Sequence, residues 1–164
     1  MNKGRNSDVR LAVPADAGSL TSLRNAFWSD QISKGSLDSP DLDPARLTGD
    51  TARLIERART ILLVAAHEGK PIGYLYGQVK IVPGTPPVGS IEEIFVVPEH
   101  RRANMAQTLV GEAIIRLQEL GAGRLQLRVL QDNAEGTTFW QRLGFHPSVT
   151  IYEYSKISPS QPAK

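Results

Sequence analysis

The stretch IEEIFVVPEHRRANMA, residues 91–106, predicts a β-strand that runs through a short basic turn into a helix. Residues 94–97 have the composition of a buried strand, and Pro98 should end it because proline has no N–H to donate to a neighbouring strand. Beyond the turn, apolar residues recur at spacings of three and four, which predicts one apolar face on a helix. These residues are Ala106, Leu109, Val110, Ala113, Ile114, Leu117 and Leu120.

The turn has the features of an anion site. The first backbone N–H groups of a helix have no acceptor within the helix, and the helix dipole adds partial positive charge to them. Arg101 and Arg102 add two full charges. A phosphate or diphosphate would suit this position. An ordinary strand-to-helix turn with two solvated arginines explains the stretch equally well.

Two segments resemble the GCN5-related N-acetyltransferases (the GNAT family). RRANMA, residues 101–106, is similar to the family's acyl-CoA-binding signature, Gln/Arg-x-x-Gly-x-Gly/Ala, with Asn104 where the family usually has its first Gly. The preceding Glu-x-Ile-x-Val-x-Pro strand is similar to the family's fourth strand. NAEGTTFWQRLGF, residues 133–145, looks like its Asn…Ala…Phe-Tyr…Leu-Gly-Phe segment. The resemblance covers about residues 8–156, and the first half matches only in its pattern of elements.

The resemblance implies acetyl-CoA as the co-substrate, with no metal, and assigns its contacts. Backbone amides of the loop would hold the diphosphate, at Arg101, Arg102, Ala103, Asn104, Met105, Ala106 and Gln107. The pantetheine arm would pair with the exposed edge of the central strand at Ile94, Phe95 and Val96, and the Val96 amide would face the thioester oxygen. Asn133 would bind the arm, cap a helix, or do both. Asn104 is acceptable in place of Gly because Asn tolerates left-handed backbone conformations.

Two adjacent glutamates precede this edge. Neighbouring strand residues point to opposite faces, so only one of Glu92 and Glu93 is expected to face the substrate. The resemblance favours Glu92 as the catalytic residue, either as a base that acts through a water molecule or as a group that orients the amine. Alternatively, both are solvated strand residues.

The chain differs most from the family in the residue that would give a proton to the departing thiolate. Many family members use a Tyr where this chain has Trp140, and an indole N–H is a poor acid. Trp140 would then pack on the cofactor while water supplies the proton. A different donor, Tyr74, Tyr76 or Tyr152, could serve instead, or the chain could have lost its activity.

The acceptor site is expected to lie near the first helices. Phe27 and Trp28 are the predicted lining residues, with Glu92 and Arg128 as further candidates for substrate contact. The acidic stretch from Asp38 to Asp50 is interpreted as a solvated loop, although it could attract a cationic acceptor.

Composition narrows the class of protein. A chain of 164 residues with a net charge of +2 fits one domain, predicted over residues 8–157, with loose tails at 1–7 and 158–164. The scattered basic residues argue against a nucleic-acid surface, and the absence of cysteine excludes disulfides and thiolate metal sites. Without a long apolar run or a signal-peptide pattern, we expect a soluble cytoplasmic protein that does not bind membranes. A homodimer is a possible assembly.

The order of elements predicts an α+β fold. It reads β-α-α-β-β-β-α-β-α-β, a three-layer α/β arrangement with a GNAT-like mixed central sheet of about 6–7 strands flanked by helices. A loop is predicted from Ser29 to Pro44 and a last strand from Val149 to Lys156.

Three functions fit these patterns. The first is an N-acetyltransferase that moves an acetyl group from acetyl-CoA to a primary amine of a small molecule or peptide, by direct attack in a ternary complex. The second is a non-catalytic acyl-CoA-binding or regulatory module on the same fold. The third, a nucleotide-phosphate-binding protein, is weakened because the chain has no Gly-x4-Gly-Lys-Ser/Thr or Gly-x-Gly-x-x-Gly motif.

Overall fold

A computed structural model describes residues 7–36, 40 and 42–152 of the chain. The strands are β1 (Ser7–Leu11), β2 (Thr60–His67), β3 (Lys70–Lys80), β4 (Val88–Val96) and β5 (Arg124–Leu127). The helices are α1 (Ala17–Ser33), α2 (Pro44–Glu56), α3 (Met105–Glu119) and α4 (Ala134–Arg142), with 3₁₀ turns at Pro14–Asp16 and Pro98–Ala103.

The chain divides into two compact units, Met1–Phe27 with Asp41–Arg128 and Trp28–Pro40 with Val129–Lys164. The first unit contains the whole sheet, and the second contains α4. The single domain over residues 8–157 stays a prediction. Of its predicted tails, residues 1–6 and 158–164 lie outside the described residues.

The sheet has the order β1-β2-β3-β4-β5. The first four strands are antiparallel, and β5 lies parallel to β4 after the α3 crossover. The β2–β3 hairpin turns at Glu68 and Gly69, where φ is 50° and 77°. Positive φ at two successive residues matches the twist of a tight hairpin.

Helices cover both faces of the sheet. A Cβ built on Gly77 of β3 would lie 3.4 Å from the Leu117 side chain, so α3 packs on that face. Leu109, Val110, Ala113 and Leu117 of the predicted apolar face of α3 are buried, but Leu120, just beyond the helix, is 39% exposed. Tyr74, on the opposite face of β3, lies against the first part of α1. None of the helices in the described ranges combines the length and apolarity needed to cross a bilayer.

Three expectations about the elements need correction. The sheet has five strands among the described residues rather than 6–7. In the predicted last strand, residues 149–152 form no strand and residues 153–156 lie outside the described part. The loop predicted from Ser29 starts later, because α1 continues to Ser33. Residues 29–33 contain no Gly or Pro, and Lys34 pairs with Asp30 at 2.7 Å across the last turn.

Candidate active site

A β-bulge interrupts the pairing of β4 with β3. Tyr76 faces Glu93, but the next residue, Gly77, faces Ile91, so Glu92 is an extra residue on β4. A bulge bends its strand and increases the local twist. The bulge therefore marks the point at which β4 changes direction.

Beyond the bulge, one edge of β4 is open. In the described part of the chain, β5 pairs with β4 only over Val88–Ile91. The Val97 N–H donates to Ile72 O at 2.9 Å, so Val97 faces β3. Backbone groups alternate between the two edges of a strand, and those of Ile94 and Val96 therefore point to the open edge. An extended ligand could pair there as an added strand.

The basic turn that follows β4 is a 3₁₀ turn, Pro98–Ala103, and it ends at Asn104. Asn104 has φ 57° and ψ 14°, the left-handed conformation in which Gly is normally favoured, so the expectation for this substitution is confirmed. Its side chain makes no capping hydrogen bond to α3. The first N–H groups of α3, from Met105 to Gln107, precede the first intrahelical bond, from Thr108 N to Asn104 O at 3.0 Å. An anion could accept from them.

Arg101 also braces the end of the strand. Its Nε donates to Val96 O at 3.0 Å, and its Cζ lies 5.6 Å from the centre of the Phe95 ring. The guanidinium thus holds the turn against β4. Its predicted contact with a diphosphate stays a prediction, as do those of Arg102 and Ala103, whose side chains lie outside the described part.

Both glutamates point to the same face of the sheet. Glu93 Oε2 accepts from Tyr74 Oη at 2.7 Å, and Glu92 Oε1 accepts from Gln78 Nε2 at 2.9 Å. Tyr74 and Gln78 lie four residues apart on β3, on one face. The expectation that the two carboxylates point to opposite faces is wrong, because the extra residue of the bulge breaks the alternation.

The environment of Glu92 favours its ionised form. Lys80 Nζ lies 2.8 Å from Glu92 Oε1. Burial acts to raise the pKa of Glu92, but hydrogen bonds from Lys80, Gln78 and Ser90 outweigh it and leave the pKa lowered. At neutral pH the side chain is an anion held by two β3 residues, Gln78 and Lys80.

Glu93 belongs to a buried network that sequence reasoning missed. Arg24 of α1 donates to both carboxylate oxygens of Glu93, from Nε to Oε2 at 2.9 Å and from Nη2 to Oε1 at 2.7 Å. Its Nη1 donates to Thr51 Oγ1 of α2 at 3.1 Å. Burial and the Glu93 charge raise the pKa of Tyr74 well above its ordinary value, so Tyr74 stays protonated as a donor. The sequence does carry a signal for Arg24, which follows Leu20 by four positions on the apolar face of α1.

An open groove of about 640 Å³ lies on the same face. Its lining residues come from α1, from α2 and the residue that follows it, and from β3; they are Arg24, Asp50, Arg53, Leu54, Glu56, Arg57 and Tyr76. Arg53 pairs with Asp50 within α2. The sequence indicated two of them for other reasons, Tyr76 as a possible proton donor and Asp50 in the acidic stretch, whereas nothing local distinguishes Arg53, Glu56 and Arg57 from a solvated helix surface.

The residues predicted to line the acceptor site differ in burial. Phe27 is buried edge-on against Tyr74, with ring centres 6.4 Å apart, as a core side chain would be. Trp28 is half-buried in the second unit, and Arg128 is exposed just after β5. Their contacts with substrate stay predictions.

The second segment that resembles the family, residues 133–145, contains the capped helix α4 of the second unit. Asn133 Oδ1 accepts from Gly136 N at 3.0 Å, which confirms its role as the cap of α4. Trp140 is buried between Phe139 and Phe145, with ring centres 5.0 and 5.3 Å away. Their predicted contacts with the pantetheine arm and cofactor stay predictions.

The chain matches a family model across most of this structure. The model is described as "Acetyltransferase (GNAT) family", and it matches residues 20–145. The chain belongs to the GNAT acetyltransferase family. Its relatives include an aminoglycoside N(6′)-acetyltransferase type 1 of Acinetobacter haemolyticus, 26% identical over 91% of this chain and 97% of the relative.

Solved structures of aminoglycoside N-acetyltransferases share the fold. AAC(6′)-Iy in complex with CoA has a TM-score of 0.80 at 20% identity and covers 95% of this chain and 98% of its own. AAC(6′)-IG from Acinetobacter haemolyticus has a TM-score of 0.74 at 25% identity, and the match covers 92% of this chain and 98% of that one. The predicted family, the fold class and acetyl-CoA as co-substrate are thus confirmed, and the chain is an acetyl-CoA-dependent N-acetyltransferase acting on an amine.

Proposed function

We propose that this GNAT protein acetylates a primary amine of an aminoglycoside, by direct attack of the amine on acetyl-CoA in a ternary complex. The observation that carries the proposal is the similarity, over 91% of the chain, to an enzyme named as an aminoglycoside N(6′)-acetyltransferase. The half-buried anion Glu92, in the bulge that precedes the open part of β4, supports a cationic acceptor.

The co-substrate would bind along two backbone surfaces. Its extended arm would pair with Ile94 and Val96 at the open edge, and its diphosphate would accept from the first amides of α3. The Val96 N–H would donate to the thioester oxygen as negative charge develops on it. A backbone donor of this kind contributes about 2.7–4 kcal/mol to transition-state stabilisation.

Glu92 would orient the amine rather than act as a strong base. A carboxylate with a lowered pKa has little affinity for a proton taken from an alkylammonium group. Its charge can still attract an ammonium group and order a water molecule that takes the proton. Lys80 and Gln78 fix the carboxylate in place for this role.

Water is the proposed proton source for the departing thiolate. Burial raises the pKa of both Tyr74 and Tyr76, and Tyr74 already donates to Glu93. An ordinary thiol has a pKa of about 8.5, so proton transfer from either tyrosine would be uphill. The position usually held by Tyr is Trp140 in this chain.

The groove beside Tyr76 is the proposed acceptor surface. Asp50 and Glu56 offer carboxylates to ammonium groups, while Arg53 and Arg57 limit the net negative charge. We therefore expect a weaker preference for highly charged polycations than a purely acidic groove would give.

We also propose a cytoplasmic location, where acetyl-CoA is available. We further propose a homodimer, which light scattering of the purified protein would test.

The test is thiol release from acetyl-CoA over a panel of amines, with product mass confirmed by mass spectrometry. Aminoglycosides with a 6′-amine are compared with matched compounds that carry a 6′-hydroxyl, and with polyamines and peptide N-termini. Release with the 6′-amines alone supports the proposal. Release only with polyamines or peptides rejects the aminoglycoside acceptor. CoA binding without release on any amine would indicate the non-catalytic module instead.

A further inference from the structure

The pair formed by Arg24 and Glu93 is unusual among the ion pairs of the described residues, because both side chains are buried. They are 8% and 4% exposed, whereas the bidentate pair Arg10–Asp16 is 41% and 10% exposed. Both glutamate oxygens are used, by Arg24 and by Tyr74. Burial acts to lower the pKa of Arg24, but hydrogen bonding and attraction to Glu93 outweigh it and raise the pKa. The guanidinium is therefore always charged.

Such a pair contributes little net stability. Removing two charges from water costs about as much as their attraction returns, and apolar residues of similar volume often stabilise a fold equally well. A second use of a buried pair is to select one local arrangement of the chain. The position of Glu93 indicates which arrangement this is.

Glu93 is the residue that resumes regular pairing after the bulge. Tyr76 faces it across the strands, Glu92 is the unpaired residue before it, and Ile94 begins the open edge after it. The direction of the Glu93 side chain therefore sets where the bulge lies and how the following backbone is turned. Moving the bulge by one residue would exchange the groups that face the open edge with those that face β3.

We propose that Arg24, Tyr74 and Glu93 form a positioning device that fixes the β4 bulge, and through it the open edge and the Glu92 carboxylate. Arg24 ties the bulge to α1, and its third bond, to Thr51, ties it to α2. Both helices also line the proposed acceptor groove. One network therefore positions both the open edge of β4 and the acceptor surface. The inference rests on the proposed use of that edge by the acyl-CoA arm.

The test separates positioning from stability. The triple variant Arg24→Met, Tyr74→Phe and Glu93→Leu replaces the network by apolar groups, and Thr51 keeps its bond to Leu47 O at 2.7 Å. We expect it to fold, with kcat lowered by about 10²-fold, the scale of a 1 Å misplacement, and with weaker CoA binding in calorimetry because the arm pairs with the displaced edge. The double variant Arg10→Met and Asp16→Asn, which disrupts the other bidentate pair, is the control and should keep its kcat.

Tyr74→Phe alone covers the case in which the triple variant does not fold. It removes one hydrogen bond to a charged group, and we expect kcat to fall about tenfold. A folded triple variant with wild-type kcat, or Tyr74→Phe with wild-type kcat, would overturn the positioning role. An equal loss of kcat in the control pair would also overturn it.

An inactive wild-type protein would be a failure of the proposed function and not of this device. In that event the readout is the amide resonances of Ile94 and Val96 in nitrogen-15 spectra. Tyr74→Phe should shift them and leave those of β1 in place. Unshifted resonances would count against the device whatever the activity.

Discussion

Replacing Arg24 by methionine should destabilise the protein far more than replacing the whole network. In Arg24→Met, the carboxylate of Glu93 stays only 4% exposed and keeps the hydroxyl of Tyr74 as its partner. An uncompensated buried charge of this kind costs about 3–5 kcal/mol. For a chain of this length, that corresponds to a fall of about 6–20 °C in the melting temperature.

The triple apolar variant removes the charge that Arg24→Met leaves behind. Thr51 Oγ1 still donates to Leu47 O, so this hydroxyl keeps a partner. We therefore expect its free energy of unfolding to lie within about 1 kcal/mol of the wild-type value. The non-additivity of the single and combined changes measures the coupling within the network.

The assay is denaturant unfolding followed by circular dichroism at pH 7, on the wild type, Arg24→Met, Glu93→Leu and the triple variant. Arg24→Met and Glu93→Leu should each be strongly destabilised. A triple variant that is as unstable as Arg24→Met would show that the ion pair is a main source of stability. The reasoning that assigns the pair to positioning would then fail.

Three further outcomes are expected. Asn104→Ala should lower the free energy of unfolding by about 1 kcal/mol, because Ala is less tolerant of the left-handed conformation at φ 57°, whereas Asn104→Gly should not; equal melting temperatures for both would contradict this. Glu92 has a lowered pKa, so its contribution to stability is present above about pH 4.5 and is lost as the pH falls through the folded-state pKa. Glu92→Gln should therefore make the free energy of unfolding depend less on pH on the acid side, and an unchanged dependence would contradict this. The same variant should lower kcat without shifting the pH–rate profile between about pH 6 and 8. Arg102→Glu should weaken CoA binding in calorimetry by repelling the phosphates, while the same reversal at Arg142 should not; equal affinities would remove the anchor.

Local rules determined much of this protein. Residues 91–106 predicted the strand, its end before Pro98, the turn and the amphipathic α3, because composition, proline chemistry and helical spacing act over a few residues. The preference of Asn for left-handed backbone predicted how Asn104 replaces Gly. The two motifs in their order were enough to predict the family and, with it, acetyl-CoA.

The direction of the two glutamates and the partners of Glu93 depend on contacts between elements that are distant in the sequence. The alternation rule assumes an unbroken ladder, and the bulge at Glu92 arises from the register of β4 against β3. Arg24 lies 69 residues from Glu93, and the network joins four elements, so its geometry exists only once the helices have packed on the sheet. Such contacts depend on long-range packing, which the period of a single strand or helix does not encode.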